Sequence, residues 1–183
     1  MALSDDLRRI ADAAVGYAGP SEELSAVIPT EPFDGVRIYL CAFTAGEAKS
    51  WLALDGDGLP VHDRRRLRDA VSIAAMVELA EETAGGGDLP ELRAQLATLR
   101  ETEAPQGIEE AEAAVDELEQ IIGGELRVAS PGYLDEVGVA TRRLEQALGE
   151  HTTSPFTEAM KQAGLTIDGL AADIESHYKL ELE

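Results

Sequence analysis

The sequence has little cysteine, histidine or aromatic content, and the first two shortages exclude whole classes of site. Cys41 is the only cysteine among 183 residues, so an internal disulfide and a cysteine-rich zinc site are excluded because both need several thiols. The three histidines are scattered and do not form a metal-binding helix motif. This cysteine usage fits a reducing compartment.

Signals for a membrane or for export are also missing. The densest apolar run, Ile73 to Val77, is far too short to span a bilayer. The N-terminal segment carries Asp5 and Asp6 where a secretory signal carries positive charge. We therefore expect a cytoplasmic protein that has no membrane partner.

Basic residues are scarce relative to acidic ones. Lysine and arginine total 15 against 36 aspartates and glutamates, which gives a net charge of -21. Because such a surface repels phosphates, we expect no direct binding to nucleic acid. Residues 84–125 concentrate the imbalance, with eleven acidic and two basic residues. The expected partner is the chain itself or another protein, and the charge suits a basic one.

The length fits one domain, and apolar residues at three-to-four spacing predict a series of helices within it. We expect a single domain over residues 1–183, with any internal boundary at the glycine run 85–87. A strict three-four rhythm over Ile108–Ile122 predicts a seam packed along another helix. The predicted helices begin, in chain order, at or near Ser4, Asp63, Leu92, Ile108, Pro131, Pro155 and Thr166.

Two segments rich in β-branched and aromatic residues, Val36–Phe43 and Ser50–Leu54, predict an antiparallel hairpin. A third short strand is predicted near Leu59–Val61, and residues 21–35 are predicted as a turn of helix and a connector. Neither hairpin strand alternates, so both sheet faces should be covered, one by helices and the other by a partner subunit. The predicted fold is α+β and mainly α: a hairpin or three-stranded sheet on a bundle of six or seven helices.

Acidic side chains at the end of the predicted central helix form one candidate site. Glu78, Glu81 and Glu82 have the spacing that places carboxylates on one side of a helix, where they could hold Mg²⁺. Over these few residues the pattern resembles the Glu-x-x-Glu helices of MazG-like nucleotide pyrophosphohydrolases. That resemblance implies a second acidic motif, for which Glu109–Glu112 or Asp116 with Glu119 are the candidates. The alternative is a solvated helix end.

Basic side chains at the start of the same helix form a second candidate. Arg64, Arg65 and Arg68 lie where backbone N–H groups already favour an anion, so a phosphate or carboxylate ligand could bind there. In so acidic a chain, the alternative is that these arginines pair with the protein's own carboxylates.

A third candidate consists of Tyr39, Phe43 and Trp51, three of the eight aromatic residues, which come close together on the predicted hairpin. They could form a ligand pocket or a dimer interface, and the alternative is ordinary core packing.

The sequence favours a non-enzymatic protein-interaction or regulatory domain that acts as a homo-oligomer or adaptor. One alternative is a Mg²⁺-dependent hydrolase, or a binding protein, for a phosphorylated small molecule. In that case Glu78, Glu81 and Glu82 would hold the metal and the arginines would receive phosphate. The other alternative is an acidic decoy that occupies the nucleic-acid groove of a basic protein.

Overall fold

The computed structural model describes residues 2–83, 89–103, 106–124, 128–148 and 155–183, with side chains except at 2–4, 155–161 and 165. The fold is α+β and mainly helical, with 59% helix and 17% strand, as the sequence predicts. Within these ranges, no helix is both long enough and apolar enough to cross a membrane. The elements are α1 Ala2–Val15, β1 Glu23–Thr30, β2 Ile38–Ala45, β3 Ala48–Asp55, α2 Arg64–Thr83, α3 Leu89–Thr102, α4 Ile108–Ile122, α5 Pro131–Leu148 and α6 Pro155–Ser176.

The chain forms two compact units. The first comprises residues 1–75, 126–131 and 165–183, and the second comprises 76–125 and 132–164. The chain passes between the units four times, after residues 75, 125, 131 and 164, and the first and last of these crossings lie within α2 and α6. The single domain over 1–183 stays a prediction, and the glycine run 85–87 lies outside the described residues.

The first unit contains an antiparallel sheet of strand order β1-β2-β3. The central strand β2 is buried on both faces because both of its neighbouring layers are helical. Tyr39, Cys41 and Phe43 face α1, where they pack with Ile10 and Ala14. The opposite face packs against α2 and α6 through Ile38, Leu40, Ala53, Leu67, Val71, Ala171 and Ile174. Helices of the same chain therefore cover the face that the sequence assigned to a partner subunit.

The third strand is β1, which corrects the prediction of a helical turn and connector over residues 21–35. The sequence prediction missed this strand because proline is rare in strands. Pro29 lies in an edge strand with its backbone groups turned away from β2, so no ladder bond is lost. Its carbonyl accepts from the N–H of Ala129 at 3.1 Å. The segment Leu59–Val61, predicted as the third strand, forms only an isolated bridge from Pro60 to Leu54.

The second unit has a core shared by α3, α4 and α5. The predicted α4 seam is buried there: Ile108, Ala111, Val115, Leu118 and Ile122 contact the apolar faces of the neighbouring helices. Because this seam is buried inside the unit, it does not offer a surface for self-association.

Helix ends differ from the sequence prediction at α1, α3 and α6. Helix α3 starts at Leu89 rather than near Leu92. The first helix starts at Ala2 rather than Ser4, and α6 is one helix where two were predicted, because Gly164 is accommodated inside it. The predicted cap of α2 is confirmed, since the Asp63 carboxylate accepts from the backbone N–H of Arg65 at 2.9 Å.

The outer edge of β3 is closed by the residues that follow α6. The N–H of Trp51 donates to the carbonyl of His177 at 3.0 Å, and the N–H of Lys179 donates to the carbonyl of Trp51 at 2.9 Å. Between them, the Tyr178 hydroxyl accepts from the N–H of Ala53 at 3.0 Å and donates to the carbonyl of Val61 at 2.7 Å. Burial raises the pKa of Tyr178 to about 12, so the hydroxyl stays protonated at neutral pH.

Replacing Tyr178 with Phe should destabilise the fold by about 1–3 kcal/mol, because it leaves the Ala53 N–H and a Val61 carbonyl lone pair without the partner they have now. Urea unfolding followed by circular dichroism measures the loss. Tyr17→Phe is the matched control, since Tyr17 is exposed. Equal stability of Tyr178→Phe and the wild type would contradict this role for the hydroxyl.

Gly107, the residue before α4, supplies a second test. Its φ is +94°, and a Cβ there would overlap the carbonyl oxygen of Ala147 at the end of α5. Gly107→Ala should therefore cost about 1–3 kcal/mol. Gly169→Ala in helix α6 is the control: a Cβ added there would have no neighbouring atom within 4 Å, so the change should be neutral or stabilising. A Gly107→Ala variant as stable as Gly169→Ala would refute the argument.

Candidate binding surfaces

The start of α2 carries the predicted anion-binding arginines, of which one forms an ion pair and two do not. Arg68 forms a two-point ion pair with Glu175 of α6, and these hydrogen bonds raise the pKa of its guanidinium. Arg64 and Arg65 are exposed and have no ion pair within the described residues. The backbone N–H groups that would hold an anion already have acceptors: that of Arg64 donates to the carbonyl of Glu183, and Arg65 donates to Asp63. Anion binding at Arg64, Arg65 and Arg68 stays a prediction, and it now depends on two side chains.

The turn between β1 and β2 lies beside the start of α2. Asp34 in this turn is 3.5 Å from Arg66 Nε, and its carboxylate also accepts from the N–H of Val36 at 3.1 Å. Gly35 closes the turn with a φ of +75° and donates to the Pro32 carbonyl at 2.9 Å. The turn holds Phe33 in an exposed position, with 68% of its surface accessible. Sequence reasoning missed this residue, although a hydrophobic side chain inside a Pro-x-Asp-Gly turn is itself a signal.

The predicted metal residues lie near the end of α2 in the second unit. Glu78 and Glu82 are exposed, and half-buried Glu81 accepts a hydrogen bond from the Tyr133 hydroxyl at 3.0 Å. Within the described ranges, no group of three or more His, Cys, Asp or Glu side chains is placed to hold a metal ion. Magnesium binding at these three glutamates stays a prediction.

The candidate second acidic motifs on α4 face arginines of α3. Arg100 lies 2.8 Å from Glu112 and 3.7 Å from Glu109, and Arg93 pairs with both Asp116 and Glu119. These carboxylates therefore serve to join two helices.

The aromatic trio is split between the two faces of the sheet. Tyr39 and Phe43 are buried on the α1 side. Trp51 lies opposite Ala42 in the strand register, so its side chain is on the other face, half-buried beside α2 and α6. Successive side chains of a strand point to opposite faces of the sheet, and directly paired residues share a face. Trp51 is therefore on the opposite face from Tyr39 and Phe43, and the three side chains do not line a common pocket.

The outward faces of α3 and α4 carry five ion pairs, which three arginines form. Arg93 Nε and Nη2 lie 2.6 Å and 2.7 Å from the Glu119 carboxylate, a two-point contact that raises the pKa of Arg93 and lowers that of Glu119. Arg143 of α5 reaches the same surface and pairs with Glu117. We call the following residues the α3–α4 acidic surface: Glu101, Glu109, Glu110, Glu112, Asp116, Glu117 and Glu119.

Two members of this surface carry the unbalanced charge. Glu101 and Glu110 are exposed and have no ion pair or hydrogen bond within the described residues. The three arginines that reach the surface are already paired with its other members, so these two carboxylates remain available.

A mostly buried ion pair in the first unit was also missed by sequence reasoning, since its partners are 157 residues apart. Lys179 donates to Glu22, and their side chains are only 15% and 19% exposed. Glu22 also accepts from the Gly19 N–H and the Ser50 hydroxyl, each at 2.7 Å. Lys179 Nζ lies 4.8 Å from the centre of the Phe43 ring. The hydrogen bond from Lys179, followed by those from Gly19 and Ser50, lowers the pKa of Glu22 to about 2.

Comparison with family models, characterised proteins and solved structures gives no match.

Glu22 should make part of the stability acid-sensitive. Its pKa is about 2 in the folded chain against an ordinary 4.5, so its contribution is fully present above about pH 4.5 and is lost as the pH falls towards 2. Glu22→Gln should lower the unfolding free energy at pH 7, and its deficit relative to the wild type should shrink below pH 4.5. Urea unfolding at several pH values tests this, with exposed Glu23→Gln as control. A deficit that stays constant down to about pH 2 would show that the charge contributes nothing.

Proposed function

We propose that the chain is a non-enzymatic protein-interaction domain that binds a basic partner protein through the α3–α4 acidic surface. The observation that carries the proposal is the imbalance within that surface. Seven carboxylates meet three arginines, all three arginines are paired, and Glu101 and Glu110 remain free among the described residues. A partner that brings lysines or arginines would complete pairs that the chain leaves open.

The surface is also rigid, which favours binding over mere solubility. The inward side of α4 is fully occupied by the core of the second unit, so the helix cannot rotate without exposing apolar residues. Ion pairs from α3 and α5 hold the outward carboxylates of α4 in place. Carboxylates that are already ordered lose less conformational entropy on binding than flexible ones would.

The distribution of charge between the two units also supports binding of a basic partner. The first unit has 17 acidic and 10 basic residues, whereas the second unit has 19 acidic and 5 basic ones. The second unit therefore concentrates negative potential, which would steer a basic partner towards it and speed association at low ionic strength. Such binding should weaken as salt rises, because rim charges are screened within about 8 Å at physiological ionic strength.

Charge reversal at the free carboxylates tests the proposal. The probe is a fluorescently labelled ten-residue oligolysine peptide, titrated with the full chain at about 0.15 M salt and read by anisotropy. Glu101→Lys with Glu110→Lys should weaken binding about tenfold, since each reversal replaces a favourable contact with a repulsive one. The variant's circular dichroism should be unchanged, because both residues are exposed.

The matched control reverses Glu23 and Glu47, which are exposed residues of the first unit. This pair changes the net charge by the same amount, so it should leave most of the affinity intact. Equal losses in the two variants would show that the peptide responds only to net charge, and no binding to the wild type would also reject the proposal.

A further inference from the structure

In the first unit, the turn that carries one exposed hydrophobic side chain contacts the start of α2, where two arginines form no ion pair among the described residues. Phe33 projects from the hydrogen-bonded turn, and the contact of Asp34 with Arg66 holds this turn against the start of α2. Arg64 and Arg65, the two residues before Arg66, are exposed and have no ion pair in the described part of the chain. We call Phe33, Arg64 and Arg65 the basic corner. An aromatic side chain with adjacent arginines is a composition typical of interface hot spots.

One exposed hydrophobic side chain in the second unit is accompanied by free negative charge. Val139 on α5 is 46% accessible and is the one strongly exposed large hydrophobic residue among those described in that unit. Asp135 and Glu136 lie four and three residues earlier, so they share its helix face. Both are exposed, and neither has a hydrogen bond or ion pair within the described residues. We call Asp135, Glu136 and Val139 the acidic stripe, which ends where Arg142 follows on the same face.

We propose that the basic corner of one copy of the chain docks on the acidic stripe of a second copy. Phe33 would cover Val139, and Arg64 and Arg65 would pair with Asp135 and Glu136. Each half of this contact supplies what the other lacks: an apolar side chain to be shielded from water and two charges that form no ion pair within the described part of their own chain. The α3–α4 acidic surface takes no part in this contact.

The contact joins two different surfaces, so after one contact the first copy keeps a free stripe and the second copy keeps a free corner. These two free surfaces can pair with each other in a reciprocal dimer or with further copies in larger assemblies. A contact of this size is small, so association should be weak and concentration-dependent. The net charge of -21 opposes it, although repulsion between distant groups is screened beyond about 8 Å at physiological salt.

Sedimentation velocity of the full chain between roughly 10 μM and 1 mM at about 0.15 M salt measures the association. The wild type should sediment increasingly fast with concentration. The corner variant, Arg64→Glu with Arg65→Glu, and the stripe variant, Asp135→Lys with Glu136→Lys, should each remain monomeric. One variant makes the chain more negative by four charges and the other less negative by four, so a loss in both cannot come from overall repulsion.

Mixing the corner and stripe variants in equal amounts should restore association, because each now carries the charges that match the other. The chain with all four substitutions has the wild-type net charge and should also associate with itself. Phe33→Ala should weaken association at least severalfold, while Leu59→Ala, another exposed hydrophobic of the first unit, should leave it unchanged. A wild type that stays monomeric up to about 1 mM, a stripe variant that associates more strongly, or a mixture without rescue would each overturn the proposal.

Discussion

The first unit depends on closing the outer edge of β3. A three-stranded sheet has two edges, and an open edge exposes a row of unpaired backbone N–H and C=O groups to which another strand could bond. The residues after α6 solve this at β3. Tyr178 inserts its hydroxyl between Ala53 and Val61, and the N–H of Lys179 bonds to the carbonyl of Trp51. Because these residues immediately follow α6, the edge contact also fixes the helix that covers one face of the sheet.

The opposite edge of the sheet, formed by β1, is protected by a different arrangement. The strand β1 contains an irregularity in its register between Leu24 and Ala26, and the Ser25 hydroxyl donates to the carbonyl of Ala42 at 3.0 Å where the ladder is interrupted. At its end, Thr30 forms a parallel bridge with Ala129. The sheet thus has one edge covered by its own chain and one edge interrupted by a bulge and closed at one end, an arrangement that discourages growth by strand addition. Self-association through side chains on the helices and turns is the alternative that remains compatible with this sheet.

Local patterns were enough to predict the hairpin and α4. The β-branched and aromatic run ending at Phe43 has one compatible structure, and the seam from Ile108 to Ile122 determines which face of α4 is buried. The strand β1 could not be found this way, because Pro29 is tolerated only in an edge strand with its backbone groups turned away from β2, and a local pattern does not show which strand is at the edge. Candidate sites were harder to predict because they depend on contacts between distant residues: Glu175 forms an ion pair with Arg68, whereas Arg64 and Arg65 form none among the described residues. Pairing across a fold is a long-range property, so composition gives the amount of acidic charge without indicating which acids remain unpaired.

The Glu22–Lys179 ion pair of the first unit and the ion pairs on α3 and α4 of the second unit differ in burial, and this difference bears on function. In the first unit, the ion pair of Glu22 with Lys179 is mostly buried and joins distant segments, so its role is structural. In the second unit, ion pairs lie on the surface, where each contributes little to stability on its own. Such pairs do order the carboxylates around them. A surface whose arginines are all engaged and whose carboxylates are still in excess has little to gain from further folding contacts, but it can gain from a basic partner.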